Sequence, residues 1–182
     1  SIEMGADISA FSMFKLKGPE GIGCIIGRED IIKKIREMNY SGGGQVQGFE
    51  AMEVLRGLVH VPVSLAIQAE TIENIVNDIN EDLPKGIKGA YVASAQSRTI
   101  LIEFHKPIAK EVLKIAPNFG AASYPIGAES KYEIVPMFYR VSGTFIKENP
   151  KLENYMIRIN PMDAGPHTVI NILKKSMEKI ID

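Results

Sequence analysis

The chain has 182 residues, 45% of them hydrophobic and 24% charged, with a formal net charge of −1. That is enough for one domain and short for two full ones, with the composition of a globular protein. The near-zero charge removes the electrostatic reason for a nucleic-acid or anionic-membrane partner. No apolar run approaches the length of a transmembrane helix. The single cysteine, Cys24, excludes an internal disulfide and fits a reducing cytoplasm.

Ser1–Gly5 reads as the last turn of a helix closed by glycine. The chain therefore opens in the middle of an architecture, and a fragment or one piece of a longer protein is expected. An apolar run from Ile8 to Phe14 ends at Lys15. A turn containing Gly18, Pro19 and Gly21 follows, then a second apolar run from Ile22 to Ile26. A lysine at the mouth of a buried strand is partly desolvated, which favours the neutral amine that attacks a carbonyl. The glycines and proline after it turn the backbone tightly and leave room for a flat ligand. Residues 22–27 are expected to form a buried strand, with Cys24 a small apolar residue inside it. Arg28-Glu29-Asp30 then opens a helix with Ile31, Ile32, Ile35 and Met38 at helical spacing.

A second glycine cluster spans Tyr40 to Gly48. Its free backbone N–H groups suit an anion, which makes Gly43, Gly44 and Gln45 candidates; a flexible linker is the alternative. From Phe49 to Leu83 the pattern is helical, with Phe49, Met52, Leu55 and Val59 on one face. Pro62 is expected to kink or divide it. His60, between Val59 and Val61, is expected to be packed. The boundary falls near residue 65, giving domains 1–64 and 65–182.

The second part reads as a small α+β domain. Strands are expected over 89–95 and 99–105, joined by the polar turn Gln96-Ser97-Arg98. Pro107 opens a helix facing inward through Ile108, Val112, Leu113 and Ile115. Residues 117–137 form a long irregular segment, expected as an ordered loop at an active-site mouth. Strands over 138–145 and 155–160 precede a final helix from Pro166 to Ile181. Arg140 and Arg158 fall inside apolar strand runs, where a guanidinium needs an anion and its planar fork suits a carboxylate. For each, a solvent-facing or structurally paired arginine is the competing reading.

The residues Ser12, Lys15, Gly18, Pro19, Gly21 and Gly23 form the pattern Ser-x-x-Lys-x-x-Gly-Pro-x-Gly-x-Gly. It resembles the cofactor-lysine segment of fold-type-I pyridoxal-phosphate enzymes, in the branch of the class-V aminotransferases that holds cysteine desulfurases and selenocysteine synthase. The resemblance implies an α/β fold in which the last part of a large cofactor-binding domain precedes a small α+β C-terminal domain. It also implies pyridoxal 5'-phosphate held by Lys15 as a Schiff base, with Ser12 donating to the cofactor phosphate. Gly43, Gly44 and Gln45 would approach the cofactor of the second subunit in a homodimer with a shared active site. Arg158, on the last strand, would hold the α-carboxylate of an amino-acid substrate, with Arg140 a weaker candidate. The implied function is a transferase or lyase acting on a small amino acid or amino sugar, completed by the remainder of the large domain.

Several positions depart from the family pattern. Phe14 stands where a histidine often shares the phosphate, and Phe49-Glu50-Ala51-Met52 lacks the usual threonine. The irregular segment has no cysteine to take up sulfur, which argues against persulfide desulfurase chemistry and leaves a selenocysteine-synthase-like elimination or replacement. Lys17 competes with Lys15, and the spacing to Gly18-Pro19 favours Lys15. A catalytically degenerate protein of this fold, or an inactive fragment, serving as a binding or structural subunit is the alternative.

Overall fold

The computed structural model describes residues 2–16, 18–40, 44–93, 99–122 and 134–181, the side chain of Lys15 excepted. Among these residues the chain divides into two compact units between Ser64 and Leu65.

The first unit opens with a single 3-10 turn, Ile2–Met4, closed by Gly5 at φ +92°. Strands β1 (Ile8–Ser12) and β2 (Gly23–Gly27) pair antiparallel, from Ile8 against Gly27 to Ser12 against Gly23. Helix α1 (Glu29–Tyr40) begins with Glu29 and Asp30, whose charge suits a helix N-terminus. Its Ile31, Ile32 and Ile35 are half-buried, whereas Met38 is exposed. The expectation of a buried second strand is corrected: Ile25 and Ile26 are 45% and 47% exposed. Among the described residues this ribbon has no third strand to shelter it, so alternating apolar side chains on both faces stay partly open.

Helix α2 (Gly48–Glu81) is continuous for 34 residues, with Pro62 inside it rather than at a break. Proline removes one backbone donor but leaves the neighbouring helical bonds intact, so propensity alone does not end a long helix. His60, expected to be packed, is exposed. Two apolar neighbours in sequence do not share a helix face, because successive residues turn by about 100°.

The second unit is a four-stranded antiparallel sheet in the order β3-β4-β6-β5, formed by β3 (Ile87–Ala93), β4 (Thr99–Phe104), β5 (Met137–Arg140) and β6 (Met156–Asn160). One face buries Ile100, Ile102, Phe104, Phe138, Ile157 and Ile159. Against it pack Ile72, Ile75 and Ile79 of α2, Val112 of α3 (Ala109–Ile115), and Val169, Ile172 and Leu173 of α6 (Pro166–Ile181). The amide of Asn80 donates to Ala90 O and accepts from Ala90 N, both at 2.9 Å, so α2 closes the open edge of β3 as a strand would.

A smaller cluster on the other face gathers Ala93, Leu101, Val141 and Met156 with Ile146 of α4 (Gly143–Glu148) and Leu152 of α5 (Leu152–Tyr155). The strand expected over 138–145 therefore ends at Arg140. Ser142, extended at ψ 158°, and Gly143 start a helix where hydrophobicity alone suggested more strand. The turn over 96–98 and most of the irregular segment, residues 123–133, lie outside the described residues.

Candidate active site

In the first unit, Lys15 sits on one turn of 3-10 helix, Met13–Leu16, directly after β1. The ends of this turn are tied twice: Met13 N donates to Ile22 O at 2.9 Å, and Gly18 N donates to Met13 O at 2.8 Å. Met13 is fully buried at 0% exposure. Among the described residues of this unit, the buried ones are Met13, Gly18 and Gly57 of α2, and they form one contact. A Cβ on Gly18 would meet Met13 Cε at 2.9 Å, and one on Gly57 would meet Gly18 Cα at 3.2 Å. The backbone carrying Lys15 is thus clasped between a methionine and two glycines. Ser12, last in β1 opposite Gly23, is half-buried beside the turn. Lys17 lies outside the described residues.

Gly43 lies outside the described residues, and Gly44 and Gln45 are exposed. The Gln45 side chain donates Nε2–H to Tyr40 O at 3.2 Å, so the backbone rather than the amide is left to face a ligand. Gln45 also lines a groove of about 660 Å³ with Ile25, Ile32, Ile35, Tyr40 and Val46. Cys24 is half-buried on β2.

In the second unit, Arg158 is half-buried at the middle of β6, opposite Leu101 on β4 and Tyr139 on β5. Its guanidinium carbon lies 4.3 Å from the Tyr139 ring centroid, a cation–π stack that holds the planar fork in place. Its Nε is buried and has no hydrogen-bond partner among the described residues. Arg140 stands opposite Ile157, so the strand alternation sets it on the other face from Arg158, and it is exposed. The register does not bring the two arginines together.

Two residues that sequence reasoning passed over share the face of Arg158. Thr99 and Asn160 are 0% and 1% exposed, and among the described residues Thr99 Oγ1 and Asn160 Nδ2 have no hydrogen-bond partner. The Asn160-Pro161 pair at a strand end was the available signal, since it marks a turn in which the asparagine side chain bonds forward. Asn160 Oδ1 indeed accepts from Met162 N at 3.0 Å.

The carboxylate on this face, Glu103, is already engaged. It accepts from Lys88 Nζ at 2.8 Å and from Tyr91 OH at 3.1 Å. The Lys88 bond chiefly holds its carboxyl below the usual carboxylate range, and Glu103 in turn raises both the Lys88 ammonium and the Tyr91 hydroxyl. Among the described residues no group of histidine, cysteine or acidic side chains is placed to hold a metal, and no helix is long and apolar enough to cross a membrane.

Comparison with known proteins follows this division. Residues 73–173 match the family described as YhfS-like, C-terminal domain, and residues 2–54 match aminotransferase class V. The uncharacterized protein YhfS of Escherichia coli (strain K12) is 51% identical over 178 residues, covering 98% of this chain and 49% of that protein. The crystal structure of the pyridoxal-5'-phosphate-dependent protein YhfS from Escherichia coli superposes with a TM-score of 0.89 over 97% of this chain and 49% of that one. Cystathionine gamma lyase (CalE6) from Micromonospora echinospora, at 14% identity, superposes with a TM-score of 0.67 over 97% of this chain and 52% of that one. That likeness is one of fold. The chain spans about half the length of the relatives it matches, and its α/β architecture is that of the fold-type-I pyridoxal-phosphate proteins.

Proposed function

The chain belongs to the YhfS-like family, and from that premise we propose that it is part of a pyridoxal-phosphate-dependent transferase or lyase in which Lys15 carries the cofactor and Arg158 binds the substrate. The observation that carries this reading is the clasp of Met13, Gly18 and Gly57 under the Lys15 turn. A merely exposed lysine needs no such anchoring, whereas a covalent cofactor link must return to one position at every cycle.

The residues present fit the cofactor by their chemistry. Lys15 offers a primary amine for its aldehyde and Ser12 a hydroxyl donor for its phosphate, on adjacent stretches of one tied turn. When bound, pyridoxal phosphate supplies a conjugated ring that accepts the electron pair released at the substrate's α-carbon. Lys15 Nζ would hold the cofactor and, once freed by the incoming amine, take and return the proton at that carbon. Arg158 would receive the substrate carboxylate in two-point contact, its fork aligned by Tyr139. Gly43, Gly44 and Gln45 would approach the cofactor phosphate of a second copy in a homodimer, through backbone N–H groups. Arg140, on the opposite face, has no part in the same carboxylate contact.

The reaction class we favour is elimination or replacement at the side chain of a small amino acid or amino sugar, selenocysteine-synthase-like rather than persulfide-forming. Cys24 is held on β2, not on a loop that could carry sulfur. The site would be completed by a large-domain remainder corresponding to the part of the relatives this chain does not span, and the enzyme would work in the cytoplasm.

The test is borohydride reduction of the intact protein after incubation with pyridoxal phosphate, followed by peptide mass analysis. The label is expected on Lys15, lost in Lys15→Ala and retained in Lys17→Ala. A protein that takes up no label is the degenerate binding subunit instead, and a label on Lys17 overturns the assignment of Lys15.

A further inference from the structure

We propose that the second unit carries a binding site for a phosphate group, in a cavity between the start of β3, the end of β4 and the turn that joins α4 to α5. The site is independent of the roles given above to Lys15 and Arg158.

The cavity measures about 610 Å³, and its lining includes Lys88, Glu103, His105, Asn149, Lys151 and Tyr155. Sites for small molecules run to roughly 300–1,000 Å³. The lining comes from three stretches of chain that only the fold brings together. Lys88 lies on β3, Glu103 on β4 with His105 just past its end, and Asn149, Lys151 and Tyr155 on or beside α5. His105 N donates to Gly86 O at 3.0 Å, which ties the end of β4 to the start of β3. The turn is held as well: Asn149 N donates to Phe145 O at 2.9 Å, and Leu152 N to Asn149 O at 3.1 Å.

The sign of the lining is set by what Glu103 already does. Lys88 Nζ donates to its Oε1 at 2.8 Å and Tyr91 OH to its Oε2 at 3.1 Å, so both carboxylate oxygens are engaged. A cationic ligand therefore finds no open acceptor there. The Lys88 ammonium keeps two further N–H donors, and among the described residues Lys151 makes no ion pair. Two ammonium groups thus stand against one engaged carboxylate, and the balance is positive. Asn149 Oδ1 accepts from Lys151 N at 3.2 Å, which leaves the Nδ2 end of the amide as a donor.

These donors suit phosphate better than carboxylate. A planar carboxylate is best met by the fork of an arginine, and among the described residues no arginine lines this cavity. Phosphate spreads a charge of about −1.5 to −2 over three oxygens and accepts separate bonds from point donors such as lysine. Lys88, Asn149 and Lys151 are point donors of that kind, on two separate stretches of chain. The volume also leaves room for the organic part of a phosphate ester, with Tyr155 on the wall.

The test titrates the intact protein with inorganic phosphate and with glycerol 2-phosphate at fixed ionic strength, reading the His105 ring and the Asn149 side-chain amide by NMR. Phosphate is expected to move both signals along one saturation curve, and sodium chloride to move neither. A tighter curve for glycerol 2-phosphate identifies an ester as the ligand, and equal curves identify the free ion. Lys151→Gln should weaken binding by about tenfold. Lys147→Gln removes the same charge from α4 outside the cavity and should change binding by less than about twofold. Both lysines are exposed, so neither change disturbs the core. Equal responses of the two variants, or signals that phosphate does not move in wild type, overturn the proposal.

Discussion

Gly57 of α2 packs against Gly18 so closely that a Cβ on Gly57 would stand 3.2 Å from the Gly18 Cα. Backbone lies against backbone there, and Met13 fills the space beside them. A side chain at Gly18 meets harder resistance than one at Gly57, because its Cβ would approach Met13 Cε, Cβ and O at 2.9, 3.0 and 3.0 Å. Gly18→Ala should destabilise by about 1–3 kcal/mol through overpacking and reduce borohydride labelling of Lys15. Gly57→Ala should be milder, since alanine regains up to about 1 kcal/mol of helix propensity. Urea denaturation with labelling of each variant checks the order; equal effects would remove the clasp as an explanation.

Met162 occupies the left-handed region at φ 54°, a conformation that β-branched residues resist. Its N–H is held by Asn160 Oδ1 at 3.0 Å, and the turn closes with Ala164 N to Pro161 O at 3.0 Å. Met162→Val should cost about 1–2 kcal/mol, and Met162→Gly clearly less. Asn160→Ala should cost about 1–3 kcal/mol by leaving the Met162 N–H unpaired. Thermal unfolding of the three variants gives the comparison.

The Lys88–Glu103–Tyr91 group predicts a pH dependence whose sign can be worked out. Glu103 has its carboxyl pKa lowered in the folded protein, chiefly by the Lys88 hydrogen bond. Its contribution is therefore complete above the unfolded carboxylate value of about 4.3 and is lost as pH falls through the lower folded value. Glu103→Gln should be less stable than wild type at neutral pH, and the gap should close in acid. Melting temperatures from neutral pH down through the carboxylate range measure it; a gap that widens in acid contradicts the assignment.

Leu173 of α6 is 0% exposed in the main core. Leu173→Ala should cost about 2–5 kcal/mol, since the lost transfer energy adds to an unfilled cavity. Val59→Ala, on an exposed part of α2, should change the stability of the described chain by less than about 0.5 kcal/mol. Chemical denaturation of the pair separates a real core from a merely apolar sequence.

Periodicity made α1, α6 and most of the strands legible, because a repeat of 3.6 or 2 is imposed by which face meets the core. It misplaced the end of β5, where Val141 joins the small second cluster while Gly143 already starts a helix. It also treated Ile22–Ile26 as buried, since apolarity records a preference and not what lies against the side chain.

The proposal for Lys15 came from the local sequence. Turns are short-range structures, and glycine and proline at fixed offsets from a lysine specify backbone geometry within a few residues. The surroundings of Arg158 were not legible in this way. Leu101 and Arg158 stand far apart in the chain and are opposed only through the β4–β6 register. Whether a polar side chain ends up buried without a partner is a property of everything packed around it. Local residue order decided the tied turn that carries Lys15, and the tertiary pairing of distant strands decided which side chains share a face with Arg158.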